Sequence, residues 1–161
     1  HAKVQAIRVL SHNAGPMGMV GGQQIDMDSE DKNPSLDLLK KLQSLKTGAL
    51  IYASCTLGCI AAGRDDDEEI MNICSLYASN IGLAFQIRDD ILDVTSTAEV
   101  LGKTIGSDVQ NGKTTFMSYM SVEEVQKLID DLTNEAITAV EKIDRFGDLR
   151  ELAVYLAGRD S

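Results

Sequence analysis

Apolar residues return every three to four positions along almost the whole of this 161-residue chain, and only two prolines interrupt them. That spacing is the helical period, and few short alternating segments compete with it, so the expectation is an all-α fold and not a β-sandwich. A first helix should run to about Asn13 and stop at Gly15-Pro16. The stretch 17–27 reads as helical in spite of Gly18, Gly21 and Gly22, each of which disfavours helix by about 1 kcal/mol. After a polar loop at 29–34, Ser35 is placed to cap a helix with Leu36, Leu39, Leu42 and Leu45 inward, continuing to Ala62 with a kink expected at Gly48. A further helix is expected from the acidic run Asp65-Asp66-Asp67-Glu68-Glu69 to about Val94. Residues 102–113 read as a loop. Ser121 with Glu124 forms a capping box for a helix carrying Val125, Leu128, Ile129, Leu132, Ala136, Val140 and Ile143 inward, with Gly147 closing it and a short terminal helix ending near Arg159.

Composition narrows the class of protein. Aromatic residues are 4% and Trp is absent, so aliphatic side chains must build the core. A formal charge of −10 argues against non-specific nucleic-acid binding, which needs clustered Lys and Arg. It leaves phosphate ligands open, because a divalent cation can bridge carboxylates to a polyanion. Cys55, Cys59 and Cys74 form neither a CxxC pair nor an even set; they read as small core fillers in a reducing cytosol. His1 and His12 have no partner at ligand spacing. The most apolar stretch, 48–63, contains Ser, Thr and several Gly and is too short and mixed for a membrane span, so no stable membrane insertion is expected. The chain begins inside a helical pattern (Val4, Ile7, Leu10) without an initiator Met, which reads as a cut amino terminus.

Placed on a helix at about 100° per residue, Gln86, Asp89, Asp90 and Asp93 fall within one arc. Phe85 and Leu92 flank this stripe on one side, Ile87, Ile91 and Val94 on the other. A narrow polar stripe with apolar shoulders suits a helix lining a polar cavity better than one facing water. Three carboxylates there would raise one another's pKa, and a hard divalent cation relieves that by taking oxygen ligands. A DDxxD alone would equally suit a solvated acidic face, and the run 65–69 reads as one: carboxylates in a first helical turn complement the macrodipole. Lysines add to the stripe. Lys46 precedes a strongly apolar stretch and needs an anion; Lys103 lies in a Gly-containing loop with Asp108; Lys113 follows Gly112. Carboxylates, a cation and lysines together form an arrangement that stabilises phosphoryl groups.

In order, Gly21-Gly22-Gln23-Gln24-Ile25-Asp26, Lys46-Thr47-Gly48-Ala49-Leu50, Phe85-Gln86-Ile87-Arg88-Asp89-Asp90-Ile91-Leu92-Asp93-Val94 and Leu101-Gly102-Lys103 through Asp108 resemble the successive motifs of the polyprenyl synthetases, most like bacterial farnesyl or geranyl diphosphate synthases. The ending Leu152-Ala153-Val154-Tyr155-Leu156 through Arg159 resembles that family's ending. The resemblance covers the whole chain, 1–161, as the carboxy-terminal part of a single prenyl-synthase domain whose amino-terminal half is absent. It implies an antiparallel helix bundle around a central cavity. It also implies a transferase that condenses an allylic diphosphate with isopentenyl diphosphate and releases pyrophosphate by magnesium-assisted ionisation.

Carried over by position, Asp89 and Asp93 would ligate Mg2+ with Asp90 supporting them. Lys46 and Lys103 would bind the diphosphate, Asp108 would stand behind them, and Lys113 would add charge at the mouth. Thr47 and Gln86 would place oxygen dipoles near the allylic cation, and Gln23 and Asp26 would line the pocket. The glycines at 18, 21 and 22 would serve close helix packing or make room for the isoprenoid chain. The family's first aspartate-rich motif is missing, so this half alone is expected to be inactive and to expose an apolar face. A cytoplasmic homodimer is what the resemblance implies for the full-length protein. A non-catalytic subunit of a heteromeric synthase and a terpene cyclase on the same fold are the alternatives. The retained aspartates argue against the first, and the GGQ, KTG and GK-x-x-G-x-D set argues against the second.

Overall fold

The structure, a computed structural model, describes residues 1–30, 32–95 and 114–159, with 93–95 described by backbone alone. Among these residues it is all-α, as the apolar period requires. Helices α1 (Ala2–Ala14) and α2 (Met19–Asp28) are followed by α3 (Leu36–Gln43), a π-helical turn (Ser44–Gly48), α4 (Ala49–Ala61) and the long α5 (Glu68–Thr95). A short 3-10 turn (Phe116–Ser118) then leads into α6 (Val122–Val140) and α7 (Asp148–Gly158).

The caps follow the sequence. Ser35 Oγ accepts from Leu38 N–H at 3.2 Å. The Ser121–Glu124 box closes in both directions, at 3.2 and 2.9 Å. Gly63 and Gly147 take the left-handed φ values, +65° and +80°, that favour glycine at a helix boundary. Three boundaries differ from expectation. α5 starts at Glu68, because Asp67 turns back as a cap, accepting from Ile70 N–H at 3.1 Å and from Arg64 at 2.6 Å. α6 ends at Val140, and only turns carry the chain from there to Gly147. The helix through residue 48 widens into a π-turn instead of kinking at Gly48, for a reason that belongs to the site below.

The core sits along α5. Ala84, Ile87 and Ile91 pack with Leu39, Phe116, Val125 and Ile129 in one cluster; Tyr77 and Ile81 pack with Ala136, Val140 and Ala153 in a second. Burial of each large aliphatic side chain stabilises the fold by about 1.5–3 kcal/mol, and the α5–α6 seam gathers most of them. Tyr77 Oη donates to Leu149 O at 2.6 Å, which fastens α7 to α5. The thiols are core fillers as expected: Cys59 and Cys74 are buried with their Sγ atoms 3.4 Å apart, and Cys55 is half-buried. Burial first, and then the Cys59 thiol, push Cys74 up to about 12.

α1 buries none of its residues, and Val4 and Ile7 are about two-thirds exposed, at 69% and 67%. By length and composition the stretches Leu36–Ala61 and Glu68–Leu92 could each cross a membrane. In the fold some of their apolar residues, Leu39, Ala84, Ile87 and Ile91 among them, pack in the protein core, while Leu38, Leu50 and Leu76 stay exposed.

Candidate functional site

Glycine makes the site possible. Gly22 on α2 is buried against the π-turn, and a Cβ there would lie 2.3 Å from Lys46 N and 2.6 Å from Lys46 Cα. Gly82 on α5 approaches the same turn from the other side, where a Cβ would lie 3.1 Å from Gly48 Cα. The segment Ser44–Gly48 is thus held between two helices that touch it at backbone level. A π-turn, with its wider hydrogen-bond ring, marks the point where the helix carrying Lys46 and Thr47 yields to that contact. Of the two readings of the glycines, close packing is what Gly22 does.

From this frame the side chains converge. Lys46 Nζ pairs with Asp26 Oδ2 at 2.6 Å, both partners partly buried. Thr47 Oγ1 donates to Gln86 Oε1 at 2.9 Å, joining the π-turn to α5. Asp26, Gln43, Lys46, Gln86, Asp90 and Thr115 share the lining of a polar cavity of about 70 Å³, room for a few waters or one small anionic group. Gln43 Oε1 is buried there with no hydrogen-bond partner among the described residues. Gln23, one turn before Asp26, is exposed and takes no part in that lining.

The aspartates of the stripe divide. Asp90 is buried, 4% exposed, and its Oδ2 accepts from Phe116 N–H at 3.0 Å. Asp89 has a side chain 44% exposed and accepts from the Arg159 guanidinium. Arg159 also lies over the Phe85 ring, 3.9 Å from its centre, and its carbonyl accepts from Arg88 Nε at 2.9 Å. The side chain of Asp93 lies outside the described residues, as do Lys103, Asp108 and Lys113.

The donor set can be weighed against a magnesium ion. Among the described residues no group of three or more His, Cys, Asp or Glu stands ready to enclose a metal. Magnesium rarely uses an all-protein cage: it takes one or two carboxylates and fills its shell with water and phosphate oxygen. Asp89, half-exposed and already paired with a cation, fits such a ligand. Asp90, spent partly on a backbone N–H, fits the supporting place that the resemblance gives it.

Arg159, Gln43 and the Phe116 N–H are the participants that the sequence did not announce as such. Arg159 lay in the terminal stretch that resembles the family's ending, which was its one signal.

These features define a helical-bundle protein in which two glycine-bearing helices press a lysine–threonine turn against an aspartate-rich helix. The chain belongs to the polyprenyl synthetase family, whose model matches residues 1–149. It is 39% identical over 141 residues to a farnesyl diphosphate synthase of Escherichia coli (strain K12), covering 88% of this chain and 47% of that protein. It is 44% identical over 134 residues to a geranylgeranyl diphosphate synthase of Cyanophora paradoxa, covering 83% and 44%. Among solved structures it superposes with a TM-score of 0.79 and 31% identity on a geranyltransferase from Helicobacter pylori in complex with magnesium and isoprenyl diphosphate, over 96% of this chain and 50% of that one. The chain spans about half the length of the curated relatives it matches.

Proposed function

We propose that the intact protein is a prenyltransferase that joins an allylic diphosphate to isopentenyl diphosphate, lengthening the prenyl chain and releasing pyrophosphate. One observation carries this reading: the Lys46-Thr47 turn is held against Gln86 and Asp90 of the aspartate-rich helix by backbone contacts at Gly22 and Gly82. The result is a cation, amides and carboxylates around one small cavity, with the Thr47 hydroxyl fastened to the Gln86 amide that lines it. Similarity to farnesyl and geranylgeranyl diphosphate synthases supports the same reading.

The roles follow from the chemistry of each group. Lys46 carries three N–H donors, of which Asp26 takes one, so its ammonium can also donate to a diphosphate oxygen. Lys103 would add a second cation to the same group and Lys113 a third at the mouth, with Asp108 orienting them. As the carbon–oxygen bond of the allylic diphosphate breaks, negative charge gathers on the leaving group, where fixed ammonium groups stabilise it. Thr47 spends its proton on Gln86, which aims the threonine oxygen lone pairs away from that bond and toward the substrate side, where a developing allylic cation is stabilised by oxygen dipoles. The double bond of isopentenyl diphosphate attacks that cation, and a proton then leaves, with pyrophosphate as its acceptor. Exclusion of water protects the cation meanwhile.

Asp89 and Asp93 would hold Mg2+, with Asp90 supporting them; the ion would neutralise diphosphate charge. The same reading takes the intact protein as a cytosolic homodimer, in keeping with three unpaired thiols, two of them buried.

The test is an assay of the intact protein with isopentenyl and dimethylallyl diphosphates plus magnesium. A longer prenyl diphosphate with release of pyrophosphate is expected. No elongated product, with pyrophosphate and a cyclic hydrocarbon formed instead from an added longer prenyl diphosphate, would overturn the assignment in favour of a cyclase.

A further inference from the structure

Helix α2 grips residue 46 at two points. Gly22 bears on its backbone, close enough that a Cβ would stand 2.3 Å from its nitrogen, and one turn further along the same helix Asp26 holds its ammonium at 2.6 Å. Both side chains are partly buried, Lys46 32% and Asp26 18% exposed, so solvent and salt weaken the pair less than they weaken a surface ion pair. Asp26 borders the same cavity as Lys46, Gln86 and Asp90. A carboxylate is a poor ligand for a diphosphate, because like charges a few ångströms apart repel. Its contact with the lysine carries no such penalty, since the two charges are opposite. The four-carbon stem of a lysine samples many rotamers, and fixing it before the ligand arrives removes an ordering cost from binding.

We propose, resting on the reading of Lys46 as a diphosphate ligand, that Asp26 is a positioning residue: it fixes the Lys46 ammonium where the diphosphate meets it and does not itself touch substrate. α2 thereby sets both the backbone and the charged end of Lys46, so the place of the cation is tied to the packing of one helix. This reassigns Asp26 from lining the substrate pocket to acting through its neighbour.

The experiment is a double-mutant cycle in the intact protein, read as the affinity for inorganic pyrophosphate in the presence of magnesium by calorimetry. The variants are Asp26→Asn, Lys46→Gln and both together, each checked for native helicity and melting temperature. Asp26→Asn should weaken pyrophosphate binding by about tenfold, and by less than about twofold once Lys46 is already Gln. A loss of equal size in both backgrounds would mean that Asp26 serves the fold and not the lysine, and would overturn the proposal. So would binding by Asp26→Asn as tight as that of the unmodified protein. If instead Lys46→Gln binds pyrophosphate normally, it is the diphosphate reading of Lys46 that fails, and the two failures are told apart. Should Asp26→Asn unfold, Asp26→Glu moves the carboxylate by one methylene and supports the same cycle: a loss confined to the Lys46 background upholds the proposal, and a loss indifferent to residue 46 overturns it.

Discussion

The two flanks of the acidic turn on α5 are built differently. On the Gln86–Asp90 flank the contacts are close and at least partly buried: Asp90 is 4% exposed and holds Phe116 N–H, Gln86 receives Thr47, and α2 and α5 touch the π-turn at backbone level. On the Phe85–Asp89 flank Arg159 reaches both residues from α7's far end, and Asp89 keeps a side chain 44% exposed. Adjacent aspartates therefore differ in kind. Asp90 is bound into the fold and Asp89 is available to exchange one cation for another. A motif read as three like carboxylates conceals that division.

The largest effect should come from the exposed flank. Asp89→Ala in the intact protein should lower turnover on the order of 100-fold or more, as loss of one charge-stabilising group commonly does, while leaving helicity intact. Turnover within a few-fold of the unmodified protein would break the magnesium assignment and the comparison with it. The buried flank should answer in stability first. Asp90→Ala leaves the Phe116 N–H without its carboxylate and should cost about 1–3 kcal/mol in a denaturant titration. If Asp89→Ala proved the more destabilising of the two, the division between the flanks would be wrong. Next comes Gly22→Ala, whose Cβ would meet the Lys46 backbone at 2.3 Å. With backbone on the far side nothing flexible can yield, so α2 must move, and we expect a loss of about 1–2 kcal/mol in the same titration together with weaker pyrophosphate binding. Unchanged binding would show that the grip on Lys46 is not needed.

How much of this was legible in the chain depends on distance along it. The helices were, because the apolar period and the caps at Ser35 and Ser121 are local signals. Thr47 and Gln86 were singled out through the motifs that carry the resemblance, but their hydrogen bond, across 39 residues, was not. The π-turn was not, since the glycine packed against it lies on another helix, and a kink at Gly48 was the natural local guess. The commitment of Asp90 to the fold was equally hidden: its partner, the Phe116 N–H, is 26 residues away and has no side-chain signature. The partner of Asp89 lies 70 residues away. Lys46 shows the middle case. Its need for an anion could be read from the apolar stretch after it, but the nearest one proved to be Asp26, already in the protein.

The smallest effect, and the finest test of the two flanks, is Arg159→Gln. The guanidinium is mostly buried, with a side chain 16% exposed, lies over Phe85 and pairs with Asp89, yet the terminal segment has a second hold through its carbonyl on Arg88 Nε at 2.9 Å. Removing the charge gives up a cation–π contact and one ion pair with a half-exposed carboxylate, and leaves that backbone hold in place. The melting temperature should therefore fall only slightly, for a loss of about 0.5–1 kcal/mol. The same change removes a cation that competes for Asp89. The guanidinium weakens the pull of this carboxylate on any other cation, so magnesium affinity in the presence of pyrophosphate should rise a few-fold by calorimetry even as stability falls. Both quantities falling together would mean that Arg159 holds Asp89 in its working position instead of occupying it. The exposed flank would then be as fixed as the buried one.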